Sequence, residues 1–397
     1  MTAYTSPRPR LLAIRTGALF DGLSATLHER PMVVVDGPTI RAVDTAVEPP
    51  PNADIVDLGD AVLLPGLIDT HVHLAFDASA DPVGALAERD DDTLLAAMAA
   101  AGRAALRSGV TTIRDLGDRN YLSLRLRGDA SLPTIVAAGP PITTATGHCH
   151  FLGGGVEDAA DAVRAAVREH AARGVDVIKV MASGGTMTPG TRQEATQFTA
   201  GQLRVAVDEA HRHGLPITAH AHGTGAIRDA LDAGVDGMEH VTFWSADGID
   251  EPGDLVERIA AAGVVVGLTA GTRPMPGLAP PPAIAARMPG IVANIRRLHE
   301  AGATLAIGTD AGIALIKPHD VLPYALAQLT AQLTVTPAQV LRMATSTAAG
   351  VCGLADRKGR IAPGFDADIV AVTGNPLVDL DSMHQVQAVF ARGNRVR

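Results

Sequence analysis

Imidazole, amine and carboxyl side chains stand where several apolar segments of this sequence end, and together they suit the binding of divalent metal. The first of these segments ends in His71-Val72-His73, and residues two apart in a strand face the same side. A later segment carries Lys179, and others end in His220 with His222 two residues on, in His240 and in Asp310. Imidazole nitrogens and carboxylate oxygens are common ligands of zinc and related ions. One such histidine alone is more often a hydrogen-bonded packing residue, and an aspartate alone often caps a helix. The hypothesis of a metal centre therefore depends on the joint pattern.

Lys179 is one of only three lysines in the chain and lies inside the apolar segment VDVIKVM. Burial at this position would penalise the ammonium and favour the neutral amine. A neutral amine can react with carbon dioxide, and the resulting carbamate has two oxygens and one negative charge. Such a group could bridge two cations, which an unmodified lysine cannot do. The alternative is a lysine held by a salt bridge in the interior.

Cys149 lies between His148 and His150 in the loop TGHCHFLGGG, which raises the alternative of a cysteine–histidine nucleophile. Adjacent residues in a glycine-rich loop rarely reach the geometry of a catalytic dyad. The sequence therefore favours metal-dependent chemistry over a cysteine nucleophile.

Strand-like segments without polar alternation follow one another along the chain, separated by alanine-rich segments of helical period. This alternation is typical of a parallel sheet covered by helices. We count eight such strand segments: AVLLPGLIDTHVHL, VTTIRDLG, PTIVAAG, VDVIKVMASGG, LPITAHAHG, GMEHVTF, VVVGLTA and ATLAIGTDAG. Eight βα units close a (β/α)8 barrel, whose active site forms at the carboxyl ends of its strands. The candidate metal ligands lie at those ends.

Both ends of the chain are rich in short strands and turns. A DG pair between two apolar runs near the amino end marks a hairpin, and strands return in GRIAPGFDADIVAVTG and HQVQAVFARGNRVR. Between barrel and tail, TPAQVLRMATSTAAGVCG predicts one further helix with a Thr-Pro start. We therefore predict an α/β fold, in which a TIM-like (β/α)8 barrel at residues 63–354 carries a small β-sandwich domain built from residues 1–62 and 355–397.

Composition excludes several classes of function. The 397 residues are 47% hydrophobic and 19% charged, which indicates a globular core. A formal charge of −10 and only 3% aromatic residues argue against nucleic acid as a partner. No segment is long and apolar enough to span a membrane, and the start lacks the apolar run of a signal peptide. With two cysteines, Cys149 and Cys352, these features predict a cytoplasmic protein. Self-association into a homo-oligomer is possible but has no signature in the sequence.

The sequence resembles the amidohydrolase superfamily, specifically its binuclear-metal, imidazolonepropionase-like or prolidase-like branch. The resemblance covers nearly the whole chain. It is carried by LLPGLIDTHVHL, VTTIRDLG, TGHCHFLGGG, VIKVMASGG, ITAHAHG, MEHVTF, IGTDAG and GRIAPGFDADIVAV.

The resemblance implies a role for each candidate ligand. Two divalent ions, for which zinc is favoured, would bind there: His71, His73 and Asp310 would hold the more buried ion, and His220 and His240 the more exposed one. Lys179, carboxylated on Nζ by carbon dioxide, would bridge the two ions together with a hydroxide. The hydroxide would attack the scissile carbonyl, and Asp310 would act as general base and then general acid.

The implied reaction is hydrolysis of an amide C–N bond in a small molecule, such as an N-acyl amino acid, a dipeptide or a cyclic amide. An ester, carbamate, organophosphate or imidazolone-ring substrate on the same site is the alternative, and a non-catalytic scaffold is an alternative of another class. The candidates for substrate binding are His148, His150 and Arg192, a possible carboxylate clamp, with His222. Many prolidase-like proteins have tyrosine where this chain has His222, which argues against peptide-like specificity.

Overall fold

Eight parallel strands form the centre of the structure, a computed structural model that describes residues 11–45 and 48–397. In chain order, the barrel strands are Leu67–Val72, Val110–Asp115, Thr134–Ala137, Ile178–Met181, Ile217–Gly223, Gly237–Trp244, Val265–Thr269 and Leu305–Gly308. The first three pair in one sheet and the last five in another. Each of the eight predicted strand segments overlaps one of these strands, and the sixth strand extends one residue beyond its segment.

Short backbone contacts join the two sheets at both seams. Val72 of the first strand forms a parallel bridge with Ala311, just beyond the eighth strand, and the His73 amide donates to the Ala311 carbonyl at 3.0 Å. At the other seam, Ile142 forms a parallel bridge with Val180 of the fourth strand. These contacts join the two sheets in the arrangement expected for the predicted (β/α)8 barrel.

Helices cover the barrel strands on the outside. Those of the described residues are Pro82–Ala87, Asp91–Arg107, Leu122–Arg125, Ala160–Arg173, Ala200–Arg212, Thr224–Ala233, Leu255–Ala262, Pro282–Glu300, Leu322–Leu333, Pro337–Met343 and Ser346–Val351, with 3-10 turns at His150–Leu152 and Leu380–His384. Local chemistry sets several of their ends. For example, Thr199 and Gln202 form a reciprocal capping box at the start of the fifth of these helices.

Strands from both ends of the chain form two further sheets. The six-stranded sheet has the order Asn394–Arg395, Val386–Ala391, Ile369–Val372, Val62–Pro65, Ala18–Leu19 and His28–Glu29. The four-stranded sheet has the order Thr39–Thr45, Pro31–Asp36, Leu12–Arg15 and Asp54–Asp57. The predicted DG hairpin is present, since the first two strands of the smaller sheet pair antiparallel across residues 36–39. A separate parallel pair, Thr143–Thr144 with Gly155–Val156, lies in the loop after the third barrel strand.

Successive side chains along the strands of the six-stranded sheet point to opposite faces, and the two faces pack against different cores. Leu63 and Ile369 pack into a core shared with Ile14 of the four-stranded sheet. Their neighbours Leu64 and Val370 point the other way and belong to the core of the barrel. One sheet therefore packs on the second sheet with one face and on the barrel with the other.

The segment AVLLPGLIDTHVHL, which we interpreted as one strand of the barrel, is two strands separated at Gly66. Val62–Pro65 pairs with the carboxyl-terminal strand Ile369–Val372, whereas Leu67–Val72 enters the barrel. A Cβ atom at Gly66 would lie 2.1 Å from Thr111 Oγ1, so the chain can make this change of sheet only with glycine. The boundary that we placed after residue 62 thus falls inside a strand.

The single helix predicted at TPAQVLRMATSTAAGVCG is also two helices. Thr336 and Pro337 start the first as expected, with a capping box to Gln339. The helix ends because Ala344 turns its carbonyl to the first barrel strand, where it accepts a hydrogen bond of 2.8 Å from the Ile68 amide.

Across the described residues, no helix combines the length and the hydropathy needed to cross a membrane.

Candidate metal centre

Eight of the ten side chains selected from the sequence line one small cavity of about 60 Å³ at the carboxyl ends of the barrel strands. They are His71, His73, His148, Lys179, His220, His222, His240 and Asp310. The parallel arrangement of the strands explains this convergence, because residues far apart in the chain end on the same rim of the barrel.

His71, His73 and Asp310 form the first group of the cavity. His240 also reaches it, because ligand atoms of His71, His240 and Asp310 all lie within 4.8 Å of one another. The two histidine Nε2 atoms lie 3.3 Å apart, and Asp310 Oδ1 lies 3.6 Å from the first and 3.3 Å from the second. His73 Nδ1 donates to the Gly117 carbonyl at 3.1 Å, which leaves its Nε2 as an acceptor. Burial, followed by the Lys179 charge, lowers the pKa of His71 to about 4, so its Nε2 also carries a lone pair at neutral pH. Three electron-pair donor atoms thus lie close together, and a bound cation would be their common partner.

Asp310 remains ionised in this group. Burial acts to raise the pKa of its carboxyl, but its interactions with His71 and His73 and the charge of Lys317 hold the pKa below its usual range. The carboxylate therefore supplies the negative charge that two neutral imidazoles lack.

His220, His222 and His240 form a second group, whose ligand atoms all lie within 4.8 Å of one another. His220 Nε2 lies 3.1 Å from the Gly184 carbonyl oxygen, and His240 Nδ1 lies 3.0 Å from Thr269 Oγ1. One nitrogen of each ring is thereby engaged, and the other, Nδ1 of His220 and Nε2 of His240, is free to bind a metal. Burial is the largest cause that lowers the pKa of both residues well below its usual value, so both rings are neutral.

Lys179 lies in the same cavity with only 1% of its surface exposed. Its Nζ has no hydrogen-bond partner in the structure as described, although an ammonium carries three donors. Burial lowers the pKa of Lys179 to about 8. The salt bridge that would have explained a buried lysine is not formed by this Nζ with any described residue. The amine is thus unsatisfied as it stands and is partly neutral near physiological pH.

Glu239 is a functional residue that the sequence reasoning missed. It lies next to His240 on the sixth strand, 1% exposed, and its Oε2 accepts a hydrogen bond from His71 Nδ1 at 3.0 Å. Its Oε1 accepts from Arg114 at 2.8 Å and from Thr218 at 2.7 Å. Burial acts to raise the pKa of Glu239, but Arg114 and His71 hold it far below its usual range. The glutamate therefore fixes the His71 ring with Nε2 towards the cavity. The available signal was an acidic residue within the apolar segment GMEHVTF.

We expect Glu239→Gln to weaken metal binding by about tenfold to a hundredfold, because the amide cannot accept from both His71 and Arg114 as a carboxylate does. It should also destabilise the fold by about 3–5 kcal/mol, since the Arg114 charge would lose its buried partner. Chelator competition measures the first effect and denaturant unfolding the second. Exposed Glu257→Gln serves as the control. A folded variant with unchanged metal affinity would show that Glu239 does not orient a ligand.

The backbone at two of the candidate ligands is left-handed, with φ of 75° at His240 and 59° at Asp310. Non-glycine residues adopt this conformation at a cost and often at functional sites. The eighth strand also passes close to the first group, because a Cβ atom at Gly308 would lie 2.4 Å from the Cβ of His71. The strand ends are thus bent to bring these side chains into the cavity.

Two of the candidate substrate residues lie at the second group, of which His222 is a member and His148 a neighbour. His148 packs against His220, with ring centroids 4.9 Å apart, and its Nδ1 lies 3.2 Å from Thr188 Oγ1. His222 stacks on His240 at 4.2 Å, and its Nδ1 lies 2.9 Å from Thr242 Oγ1. Both rings keep an Nε2 atom available to a ligand in the cavity.

The structure does not bring the other two candidates into the cavity. Arg192 has 74% of its side chain exposed and pairs with Glu194 at 3.3 Å. His150 is half-buried in the 3-10 turn, where its Nδ1 contacts the Gly147 carbonyl at 2.9 Å. Neither residue lines this cavity.

Cys149 reaches the cavity wall, but its thiol is unsuited to nucleophilic chemistry. Burial raises its pKa to about 12, so the thiolate is not formed near neutral pH. The cysteine–histidine alternative is thereby disfavoured by the structure as well as by the sequence.

A (β/α)8 barrel with histidines, a lysine and an aspartate at its strand ends defines the class of metal-dependent barrel hydrolases. The model of the amidohydrolase family matches residues 62–396, and the chain belongs to this family.

Named relatives span most of the chain. An ochratoxinase of Aspergillus niger is 28% identical over 372 residues, covering 83% of this chain and 73% of the relative. An imidazolonepropionase of Deinococcus deserti is 27% identical over 440 residues, covering 100% and 98%. A solved Xaa-Pro dipeptidase with methionine in its active site has a TM-score of 0.83 at 25% identity, covering 97% of this chain and 99% of that one. The chain is thus a hydrolase-type member of the family, as the resemblance implied.

Proposed function

We propose that this chain is a binuclear metal-dependent hydrolase that cleaves an amide C–N bond of a small molecule. The observation that carries the proposal is the presence, in one cavity, of two clusters of metal-ligand atoms that share His240 and of one unpartnered buried amine, Lys179 Nζ. The clusters are His220 with His222 and His240, and His71 with His240 and Asp310. The relatives support the reaction type, since the imidazolonepropionase and the Xaa-Pro dipeptidase are both named for substrates with C–N bonds.

The side chains that would hold the two cations follow from the two groups. His71, His73 and Asp310 would bind one ion, and His220 and His240 the other. Neutral imidazoles with an engaged second nitrogen, together with an ionised carboxylate, form the donor set that zinc prefers. We therefore favour zinc, although manganese, iron or nickel would accept the same ligands.

In this binuclear site Lys179 would act as a carbamate. The neutral Nζ would attack the carbon of carbon dioxide, forming an N–C bond while one proton leaves to water. The product carries one negative charge and two oxygens, which would bridge the two cations. The reaction removes the unsatisfied ammonium and needs no oxidant or reductant.

When bound, two divalent ions would polarise the scissile carbonyl and lower the pKa of the attacking water. Asp310, ionised and directed into the cavity, would accept a proton from that water and return it to the leaving nitrogen. His148 and His222 present Nε2 atoms to the cavity. In the neutral tautomer that carries its hydrogen on Nε2, either ring would donate to the substrate carbonyl oxygen. The small, buried cavity would keep bulk water away from the reacting bond.

The substrates that we propose are N-acyl amino acids, dipeptides or cyclic amides. Because Arg192 lies outside the cavity, the structure offers no arginine clamp for a substrate carboxylate there. Esters, carbamates, organophosphates and imidazolone rings would use the same reacting groups and belong in the same screen.

Metal content tests the proposal first. Elemental analysis of protein purified with bicarbonate and without chelator should give about two ions per chain, and the screen should then find amide hydrolysis that chelation abolishes and zinc restores. About one ion would indicate a mononuclear site with an unmodified Lys179. No bound metal and no turnover of any substrate class would favour a non-catalytic scaffold.

A further inference from the structure

A second cavity, of about 410 Å³, adjoins the metal centre beyond the ends of the sixth and seventh barrel strands. We call it the apolar cavity. Aliphatic side chains form most of its wall, and they come from the seventh strand and from the two helices that follow: Leu268, Ile284, Ile291, Val292, Ile295 and Leu329. Pro280 and Pro281 close one side. A cavity of this size and lining is typical of small-molecule sites.

The apolar cavity lies next to the metal centre, because His240 lines both cavities. Thr242, also on its wall, contacts Nδ1 of His222 in the metal cavity at 2.9 Å. The metal cavity of about 60 Å³ holds little more than a reacting carbonyl group. The rest of a substrate must lie outside it, and the space across His240 is the larger neighbouring volume.

Two of the polar side chains at the apolar cavity, Lys317 and Gln328, are already bound within the protein. The Lys317 Nζ donates to the carbonyls of Thr309 at 2.6 Å, Thr269 at 3.1 Å and Gly271 at 3.4 Å. Gln328 exchanges hydrogen bonds with the backbone of Thr272 through both ends of its amide, at 3.1 and 2.8 Å. These two residues therefore have little capacity left for a polar ligand, and a charged group entering here would lose its hydration without replacement.

We propose that the apolar cavity binds an uncharged hydrocarbon substituent of the substrate, an alkyl or aryl group attached close to the scissile amide. The substituent would extend across His240 while the amide lies in the metal cavity. This inference rests on the proposed function for the reaction, but it concerns a separate set of residues. It assigns the substrate class as amides with one bulky apolar side rather than small polar amides.

Two homologous substrate series test the proposal. One runs from N-acetylglycine to N-octanoylglycine, and the other from N-methylacetamide to N-octylacetamide. We expect kcat/KM to rise by up to about fourfold per methylene in one of the two series, until the cavity is filled. A flat response in both series would overturn the proposal. The responding series also shows whether the acyl or the amine side enters the cavity.

Val292→Trp fills the apolar cavity, and Leu278→Trp is its matched control in the nearby loop, with Leu278 51% exposed and outside the lining. The octanoyl or octyl preference should fall on the order of tenfold in the first variant and stay unchanged in the second. Thermal unfolding of both variants shows that they are folded. An unchanged preference in a folded Val292→Trp would overturn the assignment.

Binding separates this proposal from the reaction itself. Calorimetry of zinc-loaded Asp310→Asn with N-octanoylglycine, N-octylacetamide and their short counterparts measures affinity without turnover. Tighter binding of a long ligand that Val292→Trp removes would support the apolar cavity even if no amide is hydrolysed. Hydrolysis without chain-length dependence would leave the reaction standing and reject the cavity. If Val292→Trp instead disrupts a dimer of the chain, without a chain-length effect, the cavity is a self-association surface and the proposal fails.

Discussion

Asp310→Asn should lose nearly all turnover of the amide substrate, with kcat lower by about a hundredfold to ten-thousandfold, while most of the bound metal remains. The amide is isosteric and keeps one oxygen near the Nε2 atoms of His71 and His73, which lie 3.6 and 3.3 Å from Oδ1. It cannot accept a proton from the attacking water or return one to the leaving nitrogen. Steady-state kinetics and elemental analysis of the same preparation provide the two readouts.

The matched control is Asp356→Asn, the same change at an exposed aspartate beyond the barrel. Its kinetics and metal content should equal those of the unmodified protein. If Asp310→Asn kept full turnover with full metal, another group would have to move the proton. If instead a binding function survived and no turnover had ever been present, the scaffold alternative would gain support.

The metal centre could be predicted from the sequence because the physical rule behind it is simple. Parallel strands end on one rim, so the residues that end apolar segments converge there however far apart they lie in the chain. Lys179 and Asp310, for example, are separated by 131 positions in the sequence and line one cavity. His148 was harder to place because loop residues follow no periodicity, and it was selected from the family resemblance.

Other features depend on contacts that no local pattern encodes. Glu239 acts because Arg114 and His71 approach it from two other strands. Arg192 resembled a clamp by its position after the fourth strand, but nearby Glu194 pairs with it at the surface. The apolar cavity similarly forms between a strand and two helices, where each aliphatic residue alone is typical of an ordinary core. Sequence periodicity predicts which face of a helix or strand a side chain lies on. It does not predict which other helix or strand packs against that face.

Lys179→Ala is expected to lose at least one metal ion per chain and nearly all activity, with partial rescue by acetate or another short carboxylic acid in solution. The physical reason is the missing bridge, because a small carboxylate can occupy the space of the carbamate and supply two oxygens. The variant should fold, since Nζ has no hydrogen-bond partner in the described structure that its removal would orphan. Asp310→Asn is the rescue control, and acetate should leave it inactive. Full activity of Lys179→Ala without added acid would reject the carbamate.

The carbamate itself can be observed because the chain has only three lysines, Lys179, Lys317 and Lys358. Lys317 donates to three carbonyls, and Lys358 is buried and paired with Asp366 and Asp368, so both of these Nζ atoms have partners within the protein, unlike that of Lys179. Protein loaded with zinc and ¹³C-bicarbonate should therefore give a single carbamate resonance, absent from Lys179→Met. That substitution also replaces an unpartnered buried amine with an apolar chain of similar length. Without metal, its free energy of unfolding should thus equal or exceed that of the unmodified protein. A marked loss of stability would show that Lys179 has a structural partner and that its burial needs no carboxylation.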